Sequence, residues 1–152
     1  MEKANEKKKA VIQFYGAGNR FSNFHANPIV IDGSTWPTTE HYFQAQKFNN
    51  NAIHFEKIRK ATTPALAKTL GSTRSVKLRP DWEAVKEQVM AKALRAKFTQ
   101  HESLKQYLLQ TGDADLVEHT DRDKYWGDGG NGTGQNRLGH LLMQLRTELV
   151  NI

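Results

Sequence analysis

Cysteine is absent from the 152 residues, which removes disulfide frameworks, thiolate zinc sites and cysteine nucleophiles together. The same absence fits a reducing compartment, and the cytosol is the simple expectation. Proline occurs only four times, and neither a Pro/Ser-rich linker nor a repeat of tens of residues divides the chain, so a solenoid or two-domain plan has no support. Long apolar runs are also missing. No stretch approaches the ~20 residues of a membrane helix, so no membrane partner is expected. Residues 1–10 carry Lys3, Lys7, Lys8 and Lys9 with no apolar segment behind them, which reads as a disordered basic tail and not as a signal peptide. There is no Gly-x-Ser-x-Gly elbow, and the six histidines include no His-x-x-x-His pair. The commonest acyl-transfer designs and a metal site are therefore not expected.

The composition that remains, 38% hydrophobic and 25% charged, is that of one globular domain, taken as residues 11–152. A chain of this length buries roughly 68–70% of its unfolded surface and holds together without staples. The tail contributes +2 of the formal +6 and leaves a moderate +4 on the rest. Such a balance suits nucleic acid, an anionic surface, a phosphorylated small molecule or simple solvation, and does not choose among them.

Short β-type runs lie at Val11 to Tyr15 and Pro28 to Ile31, with Asp32-Gly33 closing a small hairpin toward Trp36. Thr38 or Thr39 caps a helix running from Glu40 to Phe48. Thr63 and Pro64 open a second helix, which Gly71 is expected to end in a left-handed conformation. Asp81 caps the clearest amphipathic helix, whose stripe is Trp82, Val85, Val89, Ala93 and Ala96, widened by Met90, Leu94 and Phe98. Leu104 to Leu109 is a short helix and Leu116 to His119 an extended run. Leu138, Leu141, Leu142, Leu145 and Leu149 form a last stripe. The class is α+β, predominantly helical with a small β-sheet.

Two breaks in this pattern carry chemistry. Glu40, Gln44 and Lys47 share one face of their helix while Tyr42, Phe43 and Phe48 surround the axis. The row is either a solvated i, i+4 row or a buried acid–amide–amine row facing a cleft. Further on, Gly127, Gly129, Gly130, Gly132 and Gly134 crowd the segment before the last helix. Their amides, with a helix N-terminus capped by Asn136, could hold a phosphate, although a mobile linker has the same composition. Asp121, Asp123 and Asp128 lie there beside Tyr125 and Trp126, where a base or ribose could rest. Arg20, Ser22, Asn23 and Phe24 make a smaller polar-aromatic patch, and Arg74, Lys77 and Arg79 a basic one.

Four blocks together resemble the YbiA/NADAR family. They are Phe21-Ser-Asn-Phe24, the long Trp36-Pro-Thr-Thr-Glu-His-Tyr-Phe-Gln-Ala-Gln-Lys-Phe48, Val89-Met-Ala-Lys-Ala-Leu-Arg-Ala-Lys-Phe98, and Leu116-Val-Glu-His-Thr120 leading into Asp123-Lys-Tyr-Trp-Gly127. The resemblance implies hydrolysis of N-glycosidic bonds, without a cofactor. The substrates it implies are ribosylamino-pyrimidine 5′-phosphates of early riboflavin biosynthesis or, in a related branch, ADP-ribose on guanine in nucleic acid. It would assign Glu40 as the carboxylate near the anomeric carbon, Asp123 as a second carboxylate and Glu118 as a third. Lys47 would act either as an amine nucleophile or as a partner of Glu40 or of a phosphate. Trp82 and Trp126, with Tyr125, would stack on the base, while Arg20, Ser22, Asn23, Phe24, Gln44, Gly127, Gly130 and Asn136 would grip ribose and phosphate. A non-catalytic module that recognises ADP-ribose or nucleic acid is the competing class. The oligomeric state is not legible in the sequence.

Overall fold

Asp32 and Gly33 both take positive φ, 51° and 80°, the backbone a two-residue hairpin needs to follow the twist of its strands. In a computed structural model that describes residues 9–151, this turn joins β2 (Ile29–Ile31) to β3 (Ser34–Trp36) in antiparallel register. They are flanked in sequence by β1 (Val11–Phe14) and by helices α1 (Thr39–Gln46), α2 (Ala52–Arg59), α3 (Pro64–Gly71), α4 (Trp82–Gln100) and α5 (Glu102–Leu109); β4 (Asp115–Glu118) and α6 (Arg137–Val150) follow. The class is α+β with helix in the majority, as the sequence implies. Most of residues 1–10 lie outside the described residues, but the Ala10 carbonyl accepts the Asp115 N–H at 2.8 Å. No helix among the described residues is long and apolar enough to cross a membrane.

The chain divides into two compact units. One is Gly16–Gln106. Its core gathers Ile29, Ile31, Trp36, Tyr42, Phe48, Ile58 and Ala93, with Trp36 meeting Tyr42 and Phe55 edge-on at 5.3 and 5.2 Å. The α2 helix was not anticipated, because Ile53 is 85% exposed and its apolar residues form no stripe; the Asn51 side chain caps it by accepting the His54 N–H. Thr38 caps α1 and Thr63 caps α3 as expected.

Two expected helix signals have other causes. Gly71 is not left-handed and lies inside α3. A Cβ there would stand 2.0 Å from Gln44 Oε1 and 2.8 Å from Gln44 Cβ, so the glycine permits a close approach between α1 and α3. Asp81 occupies the N-cap position of α4 without a capping bond, because Arg79 holds both oxygens of its carboxylate at 2.6 and 3.0 Å. The buried face of α4 also differs from the apolar stripe. It runs through Met90, Ala93, Leu94 and Phe98 but includes Lys97.

The second unit comprises the described residues of Met1–Tyr15 and Tyr107–Ile152. Here β1 pairs in parallel with β4, Val11 opposite Asp115 and Phe14 opposite Glu118. Leu116 is fully buried. Asn136, at the start of α6, has φ 49° and makes no capping bond. Its amide instead spans the free edge of β4, accepting the Glu118 N–H at 3.0 Å and donating to the Leu116 carbonyl at 2.9 Å. Asn136→Ala therefore removes two partners from strand backbone and is expected to cost about 2 kcal/mol, read as a lowered urea midpoint with an unchanged slope.

Candidate functional site

The first turn of α1 is locked from two sides. Thr38 Oγ1 accepts the His41 N–H at 3.2 Å, and its hydroxyl lies 2.8 Å from His41 Nδ1. The Asn23 carbonyl accepts the Glu40 N–H at 3.2 Å, and Asn23 Oδ1 accepts the Thr39 hydroxyl at 2.8 Å. Asn23 Nδ2 faces the Met90 sulfur at 3.5 Å. The Asn23 carbonyl and Oδ1 thus seat the first turn of α1, while its Nδ2 reaches α4.

The Glu40, Gln44 and Lys47 row is not a solvated face. Glu40 is 6% and Gln44 4% exposed, and Gln44 Nε2 donates to Glu40 Oε1 at 2.8 Å. A carboxylate removed from water in this way keeps its position through that bond. Gln44 Oε1 has no hydrogen-bond partner and rests on the surface of Gly71. Lys47 follows α1 as its C-cap residue. Its Nζ donates to the Gly71 carbonyl at 3.4 Å and stands 5.8 Å from the Phe43 ring and 6.0 Å from the Trp82 ring. Burial lowers the pKa of this amine, against the attraction of Glu40, which raises it.

Trp82 is buried and packs on Phe43 at 5.1 Å. It therefore serves both the apolar face of α4 and the wall beside Lys47. Arg20 is exposed, and Ser22 Oγ accepts the Phe24 N–H at 3.1 Å. Phe24 is half-buried, with Lys68 Nζ 6.0 Å from its ring.

The expected residues of the other unit are gathered around β4 and the glycine-rich segment. Asp123 Oδ1 accepts the N–H groups of Tyr125 and Trp126 at 2.9 and 2.7 Å. This is the work of a turn-forming carboxylate. The Tyr125 and Trp126 rings meet edge-on at 4.9 Å. Glu118 is half-buried, and its carbonyl accepts the Asp128 N–H at 2.9 Å.

Three of the glycine amides in this segment are already taken by nearby acceptors. Gly129 donates to the Asp123 carbonyl, Gly130 to Asp128 Oδ1 and Gly134 to the Asp128 carbonyl. The first amides of α6, on Arg137 and Leu138, are taken by the carbonyls of Tyr125 and Trp126. Gly127 and Gly130 are sites of close packing, where a Cβ would stand 2.7 Å from Thr120 Cγ2 and 2.8 Å from Asp121 Cβ. The phosphate cradle expected of this segment and of the Asn136 helix start thus lacks these donors.

Sequence reading missed two features. His119 Nδ1 lies 2.7 Å from Asp128 Oδ2. Asp128 Oδ1 accepts the Thr120 and Gly130 N–H groups, and the His119 bond leads the causes that hold its carboxyl below the usual range. Nothing in the spacing of these residues marks them as partners. The other is Lys97, a buried cation hidden inside an apolar stripe.

The NADAR domain profile matches residues 2–150. A protein of Shigella flexneri named N-glycosidase YbiA is 58% identical over 142 residues, covering 91% of this chain and 88% of that one. A Vibrio vulnificus riboflavin biosynthesis protein is 42% identical over 128 residues, 84% of this chain but 35% of that much longer protein. The NMR structure of the Escherichia coli protein YbiA superposes with a TM-score of 0.86 at 55% identity, covering 95% of this chain and 87% of that one. The match runs through the Glu40 row and the β4 region alike, and the chain belongs to the NADAR domain family.

Proposed function

We propose that the chain hydrolyses the bond between ribose C1′ and nitrogen in ribosylamino-pyrimidine 5′-phosphates, the chemistry of early riboflavin intermediates. The chain is an N-glycosidase, a hydrolase of N-glycosyl bonds. The observation that carries the reading is the Glu40 carboxylate, sequestered on α1, bonded to Gln44 and within the field of Lys47. The pyrimidine substrate is supported by the riboflavin-pathway name of the Vibrio relative.

Departure of the nitrogen base leaves positive charge on C1′ and the ring oxygen, and a desolvated carboxylate stabilises that charge more strongly than one in water. Water then bonds to C1′ through oxygen and gives one proton to Glu40, and that proton passes on to the departing nitrogen, which leaves as an amine and returns Glu40 to the carboxylate. Lys47 holds positive charge for the phosphate or, as the neutral amine that burial favours, offers a second route. In that route Nζ displaces the base at C1′, the ring opens to a Schiff base, and water releases the sugar. We favour the direct route, because it needs only the carboxylate that the Gln44 bond holds in place. Borohydride added during turnover is expected to leave the protein mass unchanged. A sugar adduct on Lys47 would replace the direct route with the Schiff base. A phosphorylated substrate and a chain without cysteine fit work in the cytosol.

The test is to incubate purified protein with a ribosylamino-pyrimidine 5′-phosphate and with ADP-ribosylated guanine in DNA, following released base and sugar by mass spectrometry. Release from the first is expected. Release from the second alone would make the chain an ADP-ribosyl hydrolase, and release from neither would support a binding module.

A further inference from the structure

Lys97 has no part in the chemistry above, yet it is 1% exposed, in the middle of the buried face of α4. Its Nζ donates to the Ser22 carbonyl at 2.9 Å and stands 5.3 Å from the Phe98 ring. An apolar residue of the same length would fill this slot without the cost of removing an ammonium from water. Burial brings that cost to bear on the lysine itself, whose pKa falls to about 7. A stability argument alone gives no reason for a lysine at this position.

The bond it makes gives one. Ser22 is followed by Asn23, whose carbonyl accepts the Glu40 N–H and whose side chain accepts the Thr39 hydroxyl. The Ser22 carbonyl also accepts the His25 N–H at 3.1 Å, which closes the turn but binds it to nothing beyond itself. Lys97 ties this turn to α4 through the Ser22 carbonyl, beside the longer contact of Asn23 Nδ2 with the Met90 sulfur at 3.5 Å. We infer that Lys97 is a positioning residue: by fixing the Ser22 carbonyl it holds the Ser22–Asn23 segment against the first turn of α1 and so sets the direction of the Glu40 carboxylate. The inference rests on the assignment of Glu40 above. It adds a residue that touches no substrate and acts through two peptide units.

The test is Lys97→Met, which keeps the length and apolar stem and removes the donor. Hydrogen exchange at the Glu40 amide is expected to quicken about tenfold, while the Leu94 amide in the middle of α4 keeps its protection. With the pyrimidine substrate, kcat is expected to fall about tenfold or more at a KM within about twofold of the parent, the mark of a misaimed group. Lys97→Gln, with a neutral donor of shorter reach, is expected to fall between the two in both readouts and serves if the Met variant does not fold. An unchanged Glu40 exchange rate, or a Gln variant no closer to the parent than the Met variant, overturns the inference. Exchange is read without substrate, so failure of the parent to turn over either substrate would overturn the function while the exchange rates still decide the positioning role.

Discussion

Glu40→Gln is expected to lower kcat by about 10³ or more while leaving the melting temperature within a few degrees of the parent. The two side chains have nearly the same shape, and the bond from Gln44 Nε2 has an oxygen to land on in either case. What the substitution removes is the negative charge opposite the developing cation and the site that takes a proton from water. Both are needed in the transition state and neither in the ground state, so the KM for a ribosylamino-pyrimidine 5′-phosphate should change little. Removing a buried carboxylate also relieves desolvation, and stability should hold or rise slightly. Rates from single-turnover experiments, with melting by circular dichroism, check both halves. Retention of the full rate would move the essential carboxylate away from α1.

Gly71→Ala is expected to destabilise the fold by about 3 kcal/mol and to reduce turnover by about a hundredfold. Helix propensity argues for the opposite sign, since Ala in place of Gly inside a helix favours it by about 1 kcal/mol. The contact decides the outcome. The new methyl would meet Gln44 Cδ at 2.7 Å and Cβ at 2.8 Å, and Cβ cannot swing away as a side-chain end can. Either α3 moves off α1, or Gln44 turns and lets go of Glu40. The Gly71 carbonyl, which accepts Lys47 Nζ, would move with the helix. Denaturant midpoints measure the first effect and kcat the second.

The two variants show which features the sequence made legible. The Glu40, Gln44 and Lys47 row was visible because helical period places all three on one face, and Tyr42, Phe43 and Phe48 around it left a buried row as open as a solvated one. Gly71 was visible as a punctuation mark but read for its conformation, when its role is the room it leaves for Gln44. That role depends on a neighbour 27 positions away, which no local signal reports. Lys97 escaped for a related reason: a cation at a buried position looks, in one dimension, like a gap in an apolar stripe. The glycine-rich segment misled in the other direction. Its many amides suggested donors for an anion, but carbonyls and carboxylates a few residues away already accept those named above. The His119–Asp128 pair depends on the same folding-back and was equally hidden.

The pairing of β1 with β4 has a consequence for the order in which the molecule is made. The residues Gly16–Gln106 form a continuous stretch and have all their partners within that unit available as soon as the stretch has left the ribosome. Strand β1 emerges first but finds its mate only when Asp115–Glu118 arrives. At typical elongation rates that interval is on the order of 5–20 s. For that time Val11–Phe14 is an exposed apolar strand with an unmatched edge, the element most open to pairing with another nascent chain. A chain cut short before Asp115 and released would therefore display a folded middle and a β1 strand without its mate.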